Sequence, residues 1–265
     1  VVTNSSIGDL FVAGIVPGVL IAVALVSVVL WLARKYDLKG GEPTSLKKIL
    51  VSGKDAILAL MMPIIILGGI YGGIFTPTEA AAVATVYALI VGMFIFREIS
   101  FADLRNVIMK AAVSSAVVLF VIATSSSFSW LLTSLQIPEK VASTMLAISN
   151  NPTVILLLLN IILLFLGTFL ETQAIILLVT PIIFPLAMNL GVDPLVLGII
   201  IVVNTSAGMI TPPMAVNLFV ACSLSGLSIE KISRRILPFL FVEIAVLLLI
   251  TNIPALSLTL VKMLK

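Results

Sequence analysis

Histidine is absent from the 265 residues, cysteine occurs once, as Cys222, and charged residues make up only 10% of the chain. Without histidine, the usual zinc sites, haem ligation and Ser-His-Asp hydrolysis lack their residues, and one cysteine cannot build a disulfide framework. Most intramembrane enzyme chemistry is thereby excluded. The shortage of charge excludes a water-soluble fold, which is roughly 25% charged and about 45–50% apolar. Here 61% of residues are apolar and the mean hydropathy is +1.30. The net charge of +3 is small and sits in connecting segments, so nothing suggests nucleic-acid binding. The chain opens on Val1 with no signal peptide, which reads as a polypeptide preceded by further sequence.

What remains is long apolar runs. A membrane-crossing helix needs about 20 apolar residues, and the runs predict helices over 10–32, 56–75, 77–96, 111–135, 194–222 and 236–253. The fold class is an all-α polytopic protein of the lipid bilayer. Arg34, Lys35, Lys39, Lys47, Lys48 and Lys54 follow the first helix, Arg97, Arg105 and Lys110 the third, and Lys231, Arg234 and Arg235 precede the last. If each helix crosses once, all of these fall on one side, leaving Lys140, Lys262 and Lys265 on the other. The excess of Lys and Arg makes the first side cytoplasmic.

Residues 152–190 break the pattern. An apolar arm from Pro152 to Leu166 is followed by Gly167-Thr168-Phe169-Leu170-Glu171-Thr172 and a second arm through Pro181 and Pro185. The first arm reaches about 22 Å, short of a hydrocarbon core of about 30 Å. Two ordinary spans and one re-entrant hairpin both return the chain to its starting side. A glutamate, two hydroxyls and a glycine at membrane depth favour the hairpin, with its tip facing protein or water.

A second break is written at Asn204-Thr205-Ser206-Ala207-Gly208-Met209-Ile210-Thr211-Pro212-Pro213-Met214. Consecutive prolines remove two amide donors and obstruct the preceding turn. The expected element is two half-helices around an unwound middle, with Thr211 as N-cap and Pro212 as first helical residue of the second. Freed carbonyls and the hydroxyls of Thr205, Ser206 and Thr211 suit a hard cation such as sodium, and the positive half-helix end suits a carboxylate. A simple proline kink is the bland alternative. Glu171 is either a ligand or proton carrier, or an acid placed against the amides at the start of the second arm, the structural role being slightly favoured. Glu243, mid-span, is a candidate by its depth.

Other motifs have local explanations. Thr76-Pro77-Thr78-Glu79 reads as a capping box with Pro77 at the first helical position. Gly68-Gly69-Ile70-Tyr71-Gly72-Gly73 holds two GxxxG spacings that permit close helix approach. Thr124, Ser125, Ser126, Ser127 and Ser129 either line a polar path or bond back to their own helix. Finally, Ser6-Ile7-Gly8-Asp9-Leu10 leading to Pro17 matches Ser228-Ile229-Glu230-Lys231-Ile232 leading to Pro238 with one gap, and the charge rule puts the two on opposite sides. Inverted repeats of this kind mark secondary transporters with midplane sites.

The segments Ile66-Leu67-Gly68-Gly69-Ile70-Tyr71-Gly72-Gly73-Ile74-Phe75-Thr76-Pro77-Thr78-Glu79-Ala80 and Gly208-Met209-Ile210-Thr211-Pro212-Pro213-Met214-Ala215-Val216-Asn217-Leu218-Phe219-Val220-Ala221 resemble the large membrane (M) subunit of tripartite ATP-independent periplasmic (TRAP) transporters. The resemblance spans the whole chain but only the C-terminal part of that subunit. It implies a multi-pass permease of the bacterial inner membrane, a sodium-driven symporter of organic acids working by an elevator mechanism. The implied partners are a periplasmic substrate-binding protein and a small four-helix membrane subunit, with sodium as coupling ion and no other cofactor. Family sodium sites fall on Gly167, Thr168, Thr172, Gly208, Thr211 and Met214, and Asn204, Thr205, Ser206 and Glu171 are the candidates for the substrate. The expected organisation is an arm and basic loop (1–55), scaffold and connecting helices (56–135), a transport domain with hairpin (152–190) and broken helix (194–222) within 136–222, and a final arm and helix (223–265). Sialic acid and C4-dicarboxylates are the leading substrates, sialic acid being placed first. Alternatives are a sodium/carboxylate carrier needing no binding protein, a membrane-embedded enzyme using Glu171 or Glu243, and a non-transporting structural subunit.

Overall fold

The structure, a computed structural model, describes residues 3, 5–37, 45–212 and 216–264. Pro213, Met214, Lys39, Lys265 and the side chain of Ser129 lie outside the described residues. Among the described residues every regular element is helical. The helices are α1 (Ile7–Lys35), α2 (Leu46–Tyr71), α3 (Pro77–Ile90), α4 (Phe101–Ser134), α5 (Ile137–Ile148), α6 (Pro152–Gly167), α7 (Thr172–Leu178), α8 (Thr180–Asn189), α9 (Pro194–Gly208), α10 (Val216–Ser225), α11 (Ile229–Asn252) and α12 (Ala255–Leu264). Among the described residues, four are long and apolar enough to cross a membrane, α1, α3 with its π-helical continuation to Ile95, α4 and α11, or up to six if the bent pairs α5–α6 and α7–α8 each count as one span.

Several helices extend beyond the apolar runs. The run expected to start at residue 111 begins at Phe101, and those expected at 56 and 236 begin at Leu46 and Ile229. Lys and Arg are good helix formers, so charged ends wind on until a capping residue stops them. Ser45 accepts from the amide of Lys48 at 3.3 Å, Ser100 from that of Asp103 at 3.3 Å, and Ser228 takes the N-cap position of α11. Lys47, Lys48, Lys54, Arg105, Lys110, Lys231, Arg234 and Arg235 are therefore helical residues rather than loop residues.

The chain divides into two compact units, residues 1–37 with 121–265, and residues 38–120. In the smaller unit α2 packs on α3, and Tyr87 donates its hydroxyl to the Leu58 carbonyl at 2.7 Å. Thr76 caps α3: the Glu79 amide donates to its hydroxyl oxygen at 3.3 Å while the Thr76 amide donates to the Glu79 carboxylate at 2.7 Å, with Pro77 in the first turn. Of the glycines ahead of this cap, Gly69 and Gly73 serve a turn. The amides of Ile74 and Phe75 both donate to the Gly69 carbonyl, Gly73 has φ +67°, and the Phe75 ring occupies the space where a Gly69 side chain would stand.

In the larger unit the core is formed by α6 and α9, flanked by α1, α11, α12, α7 and α8. Leu159, Leu163, Leu197 and Ile200 are fully buried there. Helix α5, absent from the sequence reading, packs on α8 through the buried Pro138 and Met145, and bends by 120° into α6. Asn151 caps α6, accepting from the Thr153 amide at 2.9 Å. The second arm, expected as one helix, is split into α7 and α8 with a 59° bend at Val179. Pro181 has no amide proton to continue the α7 ladder. In α4, Thr124 and Ser126 donate to the carbonyls of Val121 and Ile122. That back-bonding is the second of the two readings of this hydroxyl run.

Candidate ion and substrate site

Two helix ends meet in the core. Asn160 on α6 pairs with Asn204 on α9, and further along both helices Gly167 abuts Gly208. Residue numbers rise together along both contacts, so α6 and α9 run in the same direction and end at the same place. A Cβ built on Gly208 would lie 2.6 Å from the Gly167 Cα, and one built on Gly167 would lie 3.1 Å from the Gly208 Cα. Only glycines allow this backbone contact.

Each end is open beyond its glycine. At the tip, the amides of Thr168, Phe169 and Leu170 donate back to Phe165 and Leu166 in tight turns. At the break, Met209, Ile210 and Thr211 donate to Thr205, Ala207 and Gly208, and the Asn217 amide of α10 reaches across to the Met209 carbonyl at 3.3 Å. Among the described residues, no backbone amide bonds to the carbonyls of Thr168, Phe169, Leu170, Ile210 or Thr211. Helix C-termini carry orphan carbonyls and the negative end of the dipole. Two of them meeting at one point make a place suited to a cation.

The hydroxyls are pre-set for the same work. Thr168 donates to the Phe165 carbonyl at 2.7 Å, Thr205 to Val202 at 3.0 Å and Thr211 to Ala207 at 2.7 Å. A hydroxyl that gives its proton to a carbonyl keeps two lone pairs. Thr172, first residue of α7, donates to the Met209 sulfur at 3.5 Å and so ties the second arm to the break. A pocket beside the contact is lined by Phe165, Thr168, Phe169, Thr211 and Pro212, among others.

The tip residues Gly167, Thr168 and Thr172 are thus brought to the break residues Gly208 and Thr211, while Met214 lies outside the described residues. The amides that Thr211 is expected to cap belong to residues outside the described ones, and Pro212 stands in a turn. The Thr211 hydroxyl donates to the Ala207 carbonyl near the end of α9, which also accepts from the Ile210 amide. The described part of α10 opens at Val216.

The substrate candidates are placed differently. Asn204 and Thr205 are fully buried, and the Asn204 amide nitrogen donates to Asn160 Oδ1 at 2.7 Å. Ser206 is exposed but is the hydrogen-bond partner of Glu243, which is itself buried on α11. Glu171 is exposed and occupies the N-cap position of α7 with extended backbone, without a capping bond from its side chain. Asn160 was not singled out from the sequence. It donates to Thr251 Oγ1 at 2.9 Å, and its one signal is a lone carboxamide in an otherwise apolar arm.

Fold and site together define an all-α polytopic membrane protein built around paired helix breaks, the construction used by secondary transporters. Sequence comparison is specific. The family described as "Tripartite ATP-independent periplasmic transporter, DctM component" matches residues 1–256, and the chain belongs to it. Among curated relatives, the C4-dicarboxylate TRAP transporter large permease protein DctM of Pseudomonas aeruginosa is 43% identical over 258 residues, 97% of this chain and 60% of that protein. The isethionate TRAP transporter permease protein DctMQ of Oleidesulfovibrio alaskensis is 43% identical over 253 residues, 95% of this chain and 40% of that protein. The sialic acid TRAP transporter large permease protein SiaM of Vibrio cholerae is 37% identical over 260 residues, 98% of this chain and 61% of that protein. The chain thus spans about three fifths or less of the length of these relatives. Its family is one of transporters, and the enzyme alternative built on Glu171 or Glu243 falls with that membership.

Proposed function

We propose that this chain forms the cation-binding and substrate-binding half of a TRAP permease that carries a small organic anion with sodium across the bacterial inner membrane. The observation that carries the reading is the meeting of the C-terminal ends of α6 and α9 at Gly167 and Gly208. Sodium, as cargo, is bound by the carbonyls and hydroxyl lone pairs of the tip and break, with Gly167, Thr168, Thr172, Gly208, Thr211 and Met214 as its contributors. The anion's carboxylate meets the amide-bearing starts of the following half-helices, near Glu171 at the start of α7 and not far from Ser206. Holding a cation between two negative helix ends is what makes the anion welcome beside them, which is a physical basis for coupling. Movement of the loaded unit as an elevator follows the family pattern, as do a periplasmic binding protein and a small membrane subunit as partners.

The substrate is a carboxylate or sulfonate. Relatives named for C4-dicarboxylate and isethionate are 43% identical, and at 37% stand relatives named for C4-dicarboxylate and for sialic acid, so all three acids are candidates. The test is uptake into proteoliposomes holding the full-length permease with its small subunit and binding protein. Labelled succinate, isethionate and sialic acid are offered with and without an inward sodium gradient. Sodium-dependent accumulation of one acid, lost without the binding protein, is the expected result. Accumulation that ignores sodium contradicts the coupling, and uptake that persists without the binding protein favours the self-sufficient carrier.

A further inference from the structure

A buried chain of three polar side chains crosses the core behind the Gly167–Gly208 contact. Thr251 on α11 donates its hydroxyl to the Leu247 carbonyl at 2.8 Å, so its oxygen is left to accept, and Asn160 Nδ2 donates to it at 2.9 Å. The Asn160 oxygen then accepts from Asn204 Nδ2 at 2.7 Å. Because Thr251 is committed as a donor to its own helix, the polarity of the whole chain is fixed and neither carboxamide is free to flip. Asn160, Asn204 and Thr251 are all buried, and the Asn204 carboxamide oxygen has no hydrogen-bond partner.

Such a chain is costly in an apolar core, and the bonds it makes single out one arrangement. Apolar residues at all three positions together would fill the same space. What the chain adds is register. Asn204 lies one helical turn before Gly208, and Asn160 lies two turns before Gly167. A slip of one residue between α6 and α9 would part the two glycines and set a side chain against backbone.

We propose that Asn160 and Thr251 are positioning residues for the ion site, acting through Asn204 to hold the ends of α6 and α9 in the register at which their carbonyls converge. Asn204, taken from the sequence as a substrate contact, belongs to this support. The inference rests on the sodium reading above and deepens it.

The experiment measures sodium binding to the purified full-length permease, read as the sodium concentration that half-saturates its thermal stabilisation, apart from transport. Thr251→Val keeps the shape of the side chain and removes the acceptor, and Thr251→Ser restores it. Leu247→Ala, one turn away on α11 and equally buried, serves as the packing control. The expected result is a rise of about tenfold in the half-saturating concentration for Thr251→Val, the scale of one lost buried hydrogen bond. Thr251→Ser should stay near wild type, and Leu247→Ala should lower the melting temperature without moving the sodium dependence. Asn160→Leu should match Thr251→Val. Equal shifts for Leu247→Ala and Thr251→Val, or none for Thr251→Val while wild type binds sodium, overturn the positioning role and leave the sodium site standing. If the wild type shows no sodium dependence at all, the sodium reading fails and this inference falls with it.

Discussion

Two glycines decide whether the tip and the break can share a ligand, and they are unequal. A methyl on Gly208 would sit 2.6 Å from the Gly167 Cα and 2.7 Å from its carbonyl carbon, whereas one on Gly167 would meet its nearest backbone atom at 3.1 Å. Backbone cannot swing aside as a flexible side chain can, so Gly208→Ala should behave as a forced overpacking, costing about 1–3 kcal/mol. Gly167→Ala gains about 0.5–1 kcal/mol of helix propensity, which offsets much of its milder contact. Thermal unfolding of the two variants checks this ranking: Gly208→Ala should melt clearly below Gly167→Ala. Equal melting temperatures would mean that the two helix ends are further apart than described. Each glycine is marked in the sequence by the break it opens, but not as the other's partner. Their pairing is legible only once α6 and α9 are seen to run the same way.

At the scale of elements, the helix breaks were legible because their causes are local. Pro212 and Pro213 lack donors, and Gly167 through Thr172 interrupts an apolar arm. The cap at Thr76 was legible for the same reason, since its hydrogen bonds lie within four residues. Ser100-Phe101-Ala102-Asp103 carries the same signature, with Asp103 and Ser100 bonded to each other's amides, and it marks the true start of α4. The apolar run alone starts ten residues later, because the first turns of α4 carry Asp103, Arg105 and Lys110. The elements that were not legible depend on distant partners: α5 hides its apolar face only against α8, and α12 follows a bend at Pro254 that closes on Ile253. Thr251 sits among apolar residues at the end of a long helix, and nothing nearby in the chain announces Asn160 as its partner. Thr76→Ala should speed hydrogen exchange of the first-turn amides of α3 on the order of fivefold while leaving those of α6 unchanged. No change in α3 would show that the cap is replaced by water or lipid headgroups.

For the molecule as a whole, the arrangement in the larger unit makes a single electrostatic statement. Two helices end negative at one point, the chain then turns, and new helices start from the same region. Nothing in this scheme calls for a histidine or a cysteine, which suits a sequence with no histidine and a single cysteine. Substrate choice is the part least written in the chain. The backbone groups that converge here are common to any acid, and relatives of similar identity are named for different ones. The proposed place of the coupling ion, by contrast, rests on this chain's own backbone. Equilibrium binding of radiolabelled sodium to the purified full-length permease, wild type against Gly208→Ala, tests that most directly. The account predicts saturable binding to the wild type and a loss of at least tenfold in affinity in a variant that still folds. Undiminished binding in Gly208→Ala would contradict it and place the sodium elsewhere.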